Sequence, residues 1–356
     1  MHGRYHDLCL PPRHDLDLRQ QAGLNGVGDE IREAFLEIKR CLDADDGPRA
    51  ILDTDYQPTA GRVSERDHGS QDRTRRGEVT MGKRVSGSLL ADARSLTLEA
   101  QAQDAAISHL QFQGALPTDT LSTIVEFESR VYASQQSSAI GGLLDQDGAM
   151  GGPQQLADSS SEPLGSREHQ VGNQFAAWEE AADGLSEQRR AYRASVARGA
   201  RIFQDKTFLI TDSLRVKGTT GFNKPVRSSC AFCHAMPQVG SDVVHGQVDI
   251  GTTTVPFADP QPHLPLFRIR CLKDPHPFYG RTILTHDPGY ALTSGRCEDI
   301  GKITVQSMRG LAARAPYFSN GTAQSLRAII DYFDRRYQIG YTAQEKQDLV
   351  ALLSAL

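Results

Sequence analysis

The residues able to do chemistry in this chain are concentrated in RSSCAFCHAMPQVG, residues 227–240, where Cys230 and Cys233 stand three positions apart and His234 comes directly after. Three uses of that pattern compete. A zinc half-site needs a second pair of Cys or His ligands at finger-like spacing, and the sequence has none. A dithiol redox pair belongs between a strand and a helix, whereas VRSSC comes out of a loop and AMPQVGSDV continues as one. Covalent haem attachment employs all three residues: two thiols reach the two vinyl groups on one porphyrin edge, and the next imidazole meets the iron as proximal ligand. The spacing therefore predicts one haem c, anchored by Cys230 and Cys233, with His234 as the metal ligand. The motif occurs once.

Several helical patterns surround it. Tyr192, Val196, Gly199, Ala200 and Phe203 share a face just before the motif, and Leu326, Ile329, Ile330, Phe333 and Tyr337 form a stripe after a Ser325 N-cap. A last helix starts with a Thr342/Glu345 capping box and turns Leu349, Leu352, Leu353 and Leu356 inward. Gly199 is expected to let the first of these approach the last closely. Two more helices are read from Leu98, Ala102, Ala105 and Ala106, and from Leu121, Ile124, Val125 and Glu128. The stretch from His234 to Gly301 reads as loop. Cys271 and Cys297 flank part of it and are predicted to form a disulfide.

The expected fold class is mainly α: a cytochrome c-type helical haem domain with long loops over 190–356, plus a partial helical domain over 86–135. Residues 136–189, rich in Gly, Ser and Pro, read as a linker or long loop, and 1–85 as a poorly ordered segment with one helix in DEIREAFLEIKRCL. Cys9, in CLPPRH, has the wrong spacing for haem; it and Cys41 read as ordinary thiols.

With 356 residues, 38% hydrophobic, the chain can bury one or two ordinary cores. Its net charge of -5 is dispersed, and no basic block interleaved with aromatics appears, which argues against nucleic acid as partner. The apolar runs fall far short of the roughly 20 residues a membrane crossing takes. The N-terminus shows no secretory h-region, although thioethers to haem are normally made outside the cytoplasm; the expectation is a periplasmic protein whose stated start is truncated or misassigned.

The sequence SVARGARIF…SSCAFCHAMPQVG…VDIG…DIGKITVQSMRGLAARAPYFSNGTAQSLRAIIDYF, with the final helix, resembles the C-terminal haem domain of bacterial di-haem cytochrome c peroxidases. SGSLLADARSLTLEAQAQDAAISH is similar to the segment after the first haem motif of those proteins. The resemblance implies a haem-binding oxidoreductase that exchanges electrons with a small redox protein such as a cytochrome or cupredoxin, and hydrogen peroxide as a possible substrate. It also makes Arg309 a candidate partner for a haem propionate. This chain departs from the family in having one haem motif where members have two. On the distal side, the position where the family carries a Met or Tyr ligand is Phe333, which cannot ligate iron. Tyr332 is adjacent, but a step of one residue turns it about 100° away from the apolar stripe. Met308, Tyr332, Tyr337, His245 and no ligand at all remain open, and the single motif favours an electron carrier over a peroxidase.

Overall fold

The computed structural model describes residues 8–9, 79–80, 83–84, 89–129, 134–158, 170–180, 184–213, 225–236, 239, 247–258 and 264–356. The expected helix at 29–42, Cys41 and His245 lie outside the described residues. In chain order the main elements are α1 (Leu98–Leu110), α2 (Thr118–Ser129), α3 (Gly152–Asp158), α4 (Glu187–Asp205), β1 (Phe208–Ile210), β2 (Val226–Ser228), β3 (Phe267–Arg270), β4 (Thr282–Thr285), α5 (Leu326–Tyr337) and α6 (Ala343–Leu353).

These elements fall into two compact units interleaved along the chain. One gathers the described residues of Gly87–Phe127 and Gln247–Ile303; the other those of Glu128–Gly246 and Thr304–Leu356. Residues 247–303, which the sequence reading keeps within one haem domain, thus cluster with α1 and α2.

In the first unit α1 begins at Thr97, whose hydroxyl accepts from the Ala100 amide, and buries Leu98, Ala102 and Ala106. The stretch expected to be all loop contains a hairpin: β3 and β4 pair antiparallel with Ile269 opposite Ile283, both buried. Cys271 and Cys297 form a disulfide with a Cα–Cα distance of 5.9 Å, closing a separation of 26 residues. In the chain-entropy picture such a closure stabilises a fold by roughly 3 to 4 kcal/mol. In the same unit Lys302 donates to Asp299 at 2.7 Å, and the Tyr279 hydroxyl donates to the buried Asp249 at 2.7 Å.

The second unit is the helical one. α4 starts at Ser186, whose hydroxyl accepts from the Arg189 amide, and buries Val196, Ala197, Gly199, Ala200 and Phe203. α5 starts at Ser325 in the same way, and α6 carries the complete Thr342/Glu345 capping box. α4 and α6 touch at Gly199, where a Cβ would stand 2.1 Å from the Asp348 carbonyl oxygen and 3.0 Å from Leu352 Cβ. Only a glycine fits there. Arg198 forks onto the Asp348 carboxylate at 2.9 and 2.8 Å, joined by Ser195 at 2.6 Å and Gln344 at 3.0 Å. Burial raises the Asp348 carboxyl, but those donors together bring it below the usual carboxylate range.

Two sequence expectations need correction here. The supposed linker supplies core: Leu144, Val171, Phe175 and Trp178 are all buried. The same segment surrounds Arg193, which is 3% exposed; its guanidinium donates to the Gly141 carbonyl at 2.9 Å, pairs with Asp147 and covers the Trp178 ring at 4.6 Å. Tyr332, which helical geometry turns away from the apolar stripe of α5, is nevertheless buried, with its ring 5.0 Å from that of Phe318.

Candidate haem site

The site lies wholly within the second unit. β1 and β2 pair antiparallel, Phe208 opposite Ser228, and β2 hands the chain to Ser229. A single 3-10 turn, Cys230–Phe232, then folds the motif on itself: the amides of Cys233 and His234 both donate to the Cys230 carbonyl, at 3.2 and 3.1 Å. Neither cysteine is in a disulfide, and both are half-buried. The turn packs beside α4, whose Phe203 ring lies 6.1 Å from the His234 ring.

His234 is prepared in a specific way. Its Nδ1 lies 3.1 Å from the Val239 carbonyl oxygen, which can only accept, so Nδ1 carries the hydrogen and the Nε2 lone pair is left available. Burial holds the imidazole down to about 4, against the opposing pull of the Val239 carbonyl, so the ring is neutral at pH 7. A neutral imidazole whose Nδ1–H is tied to a backbone carbonyl is the form that binds a metal through Nε2. The same carbonyl accepts from the Met308 amide at 3.2 Å. Val239 delivers it from a left-handed conformation, φ 52°, which is uncommon for a β-branched residue and costs about 1–3 kcal/mol.

Cys230 has a second feature. Burial pushes its thiol up to about 11, opposed by the hydroxyl of Tyr341, which lies 3.8 Å from the sulfur. Arg309 is 4% exposed, its Nη2 donating to Met236 Sδ at 3.4 Å, and burial lowers its guanidinium to about 10, so it stays charged at pH 7. Across the α5 face, Phe333 is half-buried and ringed by aromatics, with Phe318 at 6.2 Å, Tyr332 at 5.4 Å and Tyr337 at 6.2 Å. The Tyr337 hydroxyl is engaged with Ser213 Oγ at 2.7 Å, and that of Tyr317 donates to the Leu311 carbonyl at 3.1 Å. The donor set fits a covalently held haem: two thiols outside any disulfide and a neutral imidazole with its Nε2 lone pair, all on one turn. Sequence reasoning did not single out Val239 or Tyr341, which lie outside the motif; the structure sets the Val239 carbonyl against His234 and the Tyr341 hydroxyl against Cys230.

Over 89 residues the chain is 34% identical to cytochrome-c peroxidase IdrP1 of Pseudomonas sp. (strain SCT), a match taking in 22% of this chain and 21% of that protein. Part of the chain is thus similar to cytochrome-c peroxidases. The protein of the same name from Denitromonas iodatirespirans is 32% identical over 81 residues, 20% of this chain and 22% of its own. The match spans about a fifth of the length of these curated relatives. Among solved structures, a MauG-like protein associated with microbial copper homeostasis aligns with 78% of this chain and 71% of its own at 15% identity and a TM-score of 0.37. No protein-family model matches the chain. Among the described residues no helix is long and apolar enough to cross a membrane.

Proposed function

We propose that the chain is a haem c-binding electron-transfer protein of the di-haem cytochrome c peroxidase superfamily, with one haem attached through Cys230 and Cys233 and ligated by His234. The observation that carries this reading is the His234 imidazole, its Nδ1 turned onto the Val239 carbonyl at 3.1 Å, directly after the turn that carries the Cys230 and Cys233 thiols. Bound there, haem would supply an iron that gains and loses one electron. The chain's own residues set the conditions. The Val239 carbonyl makes the imidazole a stronger donor and so favours the oxidised iron, and the helical core around the turn limits water. Arg309, charged within the core, is the guanidinium assigned to a haem propionate. Met308, the distal candidate, is given a packing role instead: its amide shares the Val239 carbonyl with His234 Nδ1, which tethers it on the side of the imidazole turned away from Nε2. A periplasmic location follows from the thioether chemistry, and a small cytochrome or cupredoxin is the electron partner.

A second reading, reduction of hydrogen peroxide, draws on the similarity to cytochrome-c peroxidases and on Phe333, which leaves no ligand at that position of α5. Stopped-flow mixing of the reduced, haem-loaded protein with an oxidised small cytochrome, beside steady-state oxidation of reduced cytochrome c by peroxide, separates the two. The carrier reading expects rapid exchange and little peroxide turnover; turnover at about 1 to 1000 per second would overturn it in favour of the enzyme.

A further inference from the structure

Tyr341 lies in the connection between α5 and α6, outside the haem motif, and is held from several directions. Its amide and that of Gly340 donate to Asp334 Oδ1 at 3.1 and 2.8 Å, and Asp334 is itself paired with Lys346 at 2.6 Å. The next residue opens the α6 capping box, with the Thr342 amide on Glu345 at 2.7 Å. Lys206 pairs with Glu345 at 2.7 Å and sets its ammonium 4.9 Å from the Tyr341 ring centroid. The ring is 9% exposed and belongs to the hydrophobic core. A phenol hydroxyl buried in such surroundings needs a partner. Among the described residues that partner is the Cys230 sulfur, at 3.8 Å.

We propose that Tyr341 is a positioning residue for covalent haem capture: its hydroxyl holds the Cys230 sulfur in place before and after that sulfur adds to a vinyl group. The inference rests on the haem reading above. In the addition the S–H bond breaks, an S–C bond forms at the inner vinyl carbon, and the hydrogen ends on the outer one, so nothing is oxidised or reduced. The contact survives the change. In the thiol state either the S–H or the phenol O–H can donate across this contact; a thioether sulfur, having lost its hydrogen, can only accept, so after addition the phenol O–H is the donor. Burial, with the neighbouring sulfur, raises the Tyr341 phenol above its ordinary value, so it carries its hydrogen at neutral pH. The role is directed at one thioether of the two, because the hydroxyl reaches Cys230.

The test measures capture in vitro. Full-length apoprotein under reducing conditions is mixed with ferrous haem, quenched in acid over time, alkylated and mapped by mass, so that attachment at Cys230 and at Cys233 is counted separately. Tyr341→Phe keeps the ring and removes the donor; Tyr341→His supplies a ring donor in a different shape. Tyr341→Phe is expected to slow capture at Cys230 about five-fold, the factor for one ordinary hydrogen bond, and to leave Cys233 near the parent rate. Tyr341→His is expected to recover part of the Cys230 rate. Circular dichroism checks that each variant is folded. Parent rates at both cysteines in Tyr341→Phe, equal slowing at both, or a histidine variant no better than phenylalanine would overturn the assignment while leaving haem attachment standing. No capture by the parent would overturn the haem reading and this inference with it.

Discussion

Replacing Gly199 by alanine puts a methyl group where the structure has no room. The new Cβ would sit 2.1 Å from the Asp348 carbonyl oxygen, 2.7 Å from its carbon and 3.0 Å from Leu352 Cβ. The first two are backbone atoms of α6, so no side chain can rotate out of the way, and α4 and α6 must part by roughly 1 Å to reach ordinary contact. Overpacking of this kind costs about 1–3 kcal/mol, and a backbone obstacle belongs at the top of that range. Alanine recovers about 1 kcal/mol through its better helix propensity. The expected net loss is about 2 kcal/mol, read as a fall in Tm of roughly 4–8 °C for a unit of this size. Thermal unfolding tracked by circular dichroism measures it. Because α4 also carries Phe203, 6.1 Å from the His234 ring, Gly199→Ala should perturb the site as well as the midpoint. An unchanged or raised Tm would refute the claim that the α4–α6 contact depends on glycine.

Cys230→Ala and Cys233→Ala should each leave a single thioether, moving the ferrous haemochrome band between the doubly attached and the non-covalent positions, and the double variant should lose its haem to acid-acetone; a double variant that keeps it would remove the cysteines from attachment. Phe333→Met should convert the ferric spectrum to that of a six-coordinate, low-spin iron, and an unchanged spectrum would take the distal face off α5. The net lowering of Asp348 means that its contribution to stability is present above the ordinary aspartate value of about 4 and is lost as pH falls through the lower folded value. Denaturant titrations below about pH 4 should therefore show a steeper loss for the parent than for Asp348→Asn, and parallel curves would show that the Arg198 fork contributes nothing.

Much of the helical unit was legible because its signals are local. Ser325 and Thr342 cap helices where the sequence places them, Gly199 stands where two stripes must cross, and the cysteine spacing forces one tight turn whatever surrounds it. What escaped depends on residues distant in sequence. Leu144, Phe175 and Trp178 are isolated apolar residues among Gly, Ser and Pro, with no period to betray them, and become core only when α4 covers them. FRIR and TILT are four-residue strands between prolines and glycines, too short for alternation to stand out from loop. Tyr332 lies off the helical stripe yet is buried, its ring edge-on to that of Phe318. Val239 and Tyr341 were invisible as site residues for the same reason: one contributes a carbonyl and the other a hydroxyl, positioned by the fold and not by spacing.

The most direct test of the haem reading is the absorption spectrum of the protein expressed with a cytochrome c maturation system, unfolded in alkaline pyridine, reduced, and measured before and after acid-acetone extraction. The account predicts a c-type haemochrome band that survives extraction at one haem per chain, with the haem mass retained on the tryptic peptide that contains Cys230 and Cys233. A spectrum whose colour is stripped by acid-acetone, or a peptide of unmodified mass, would contradict it.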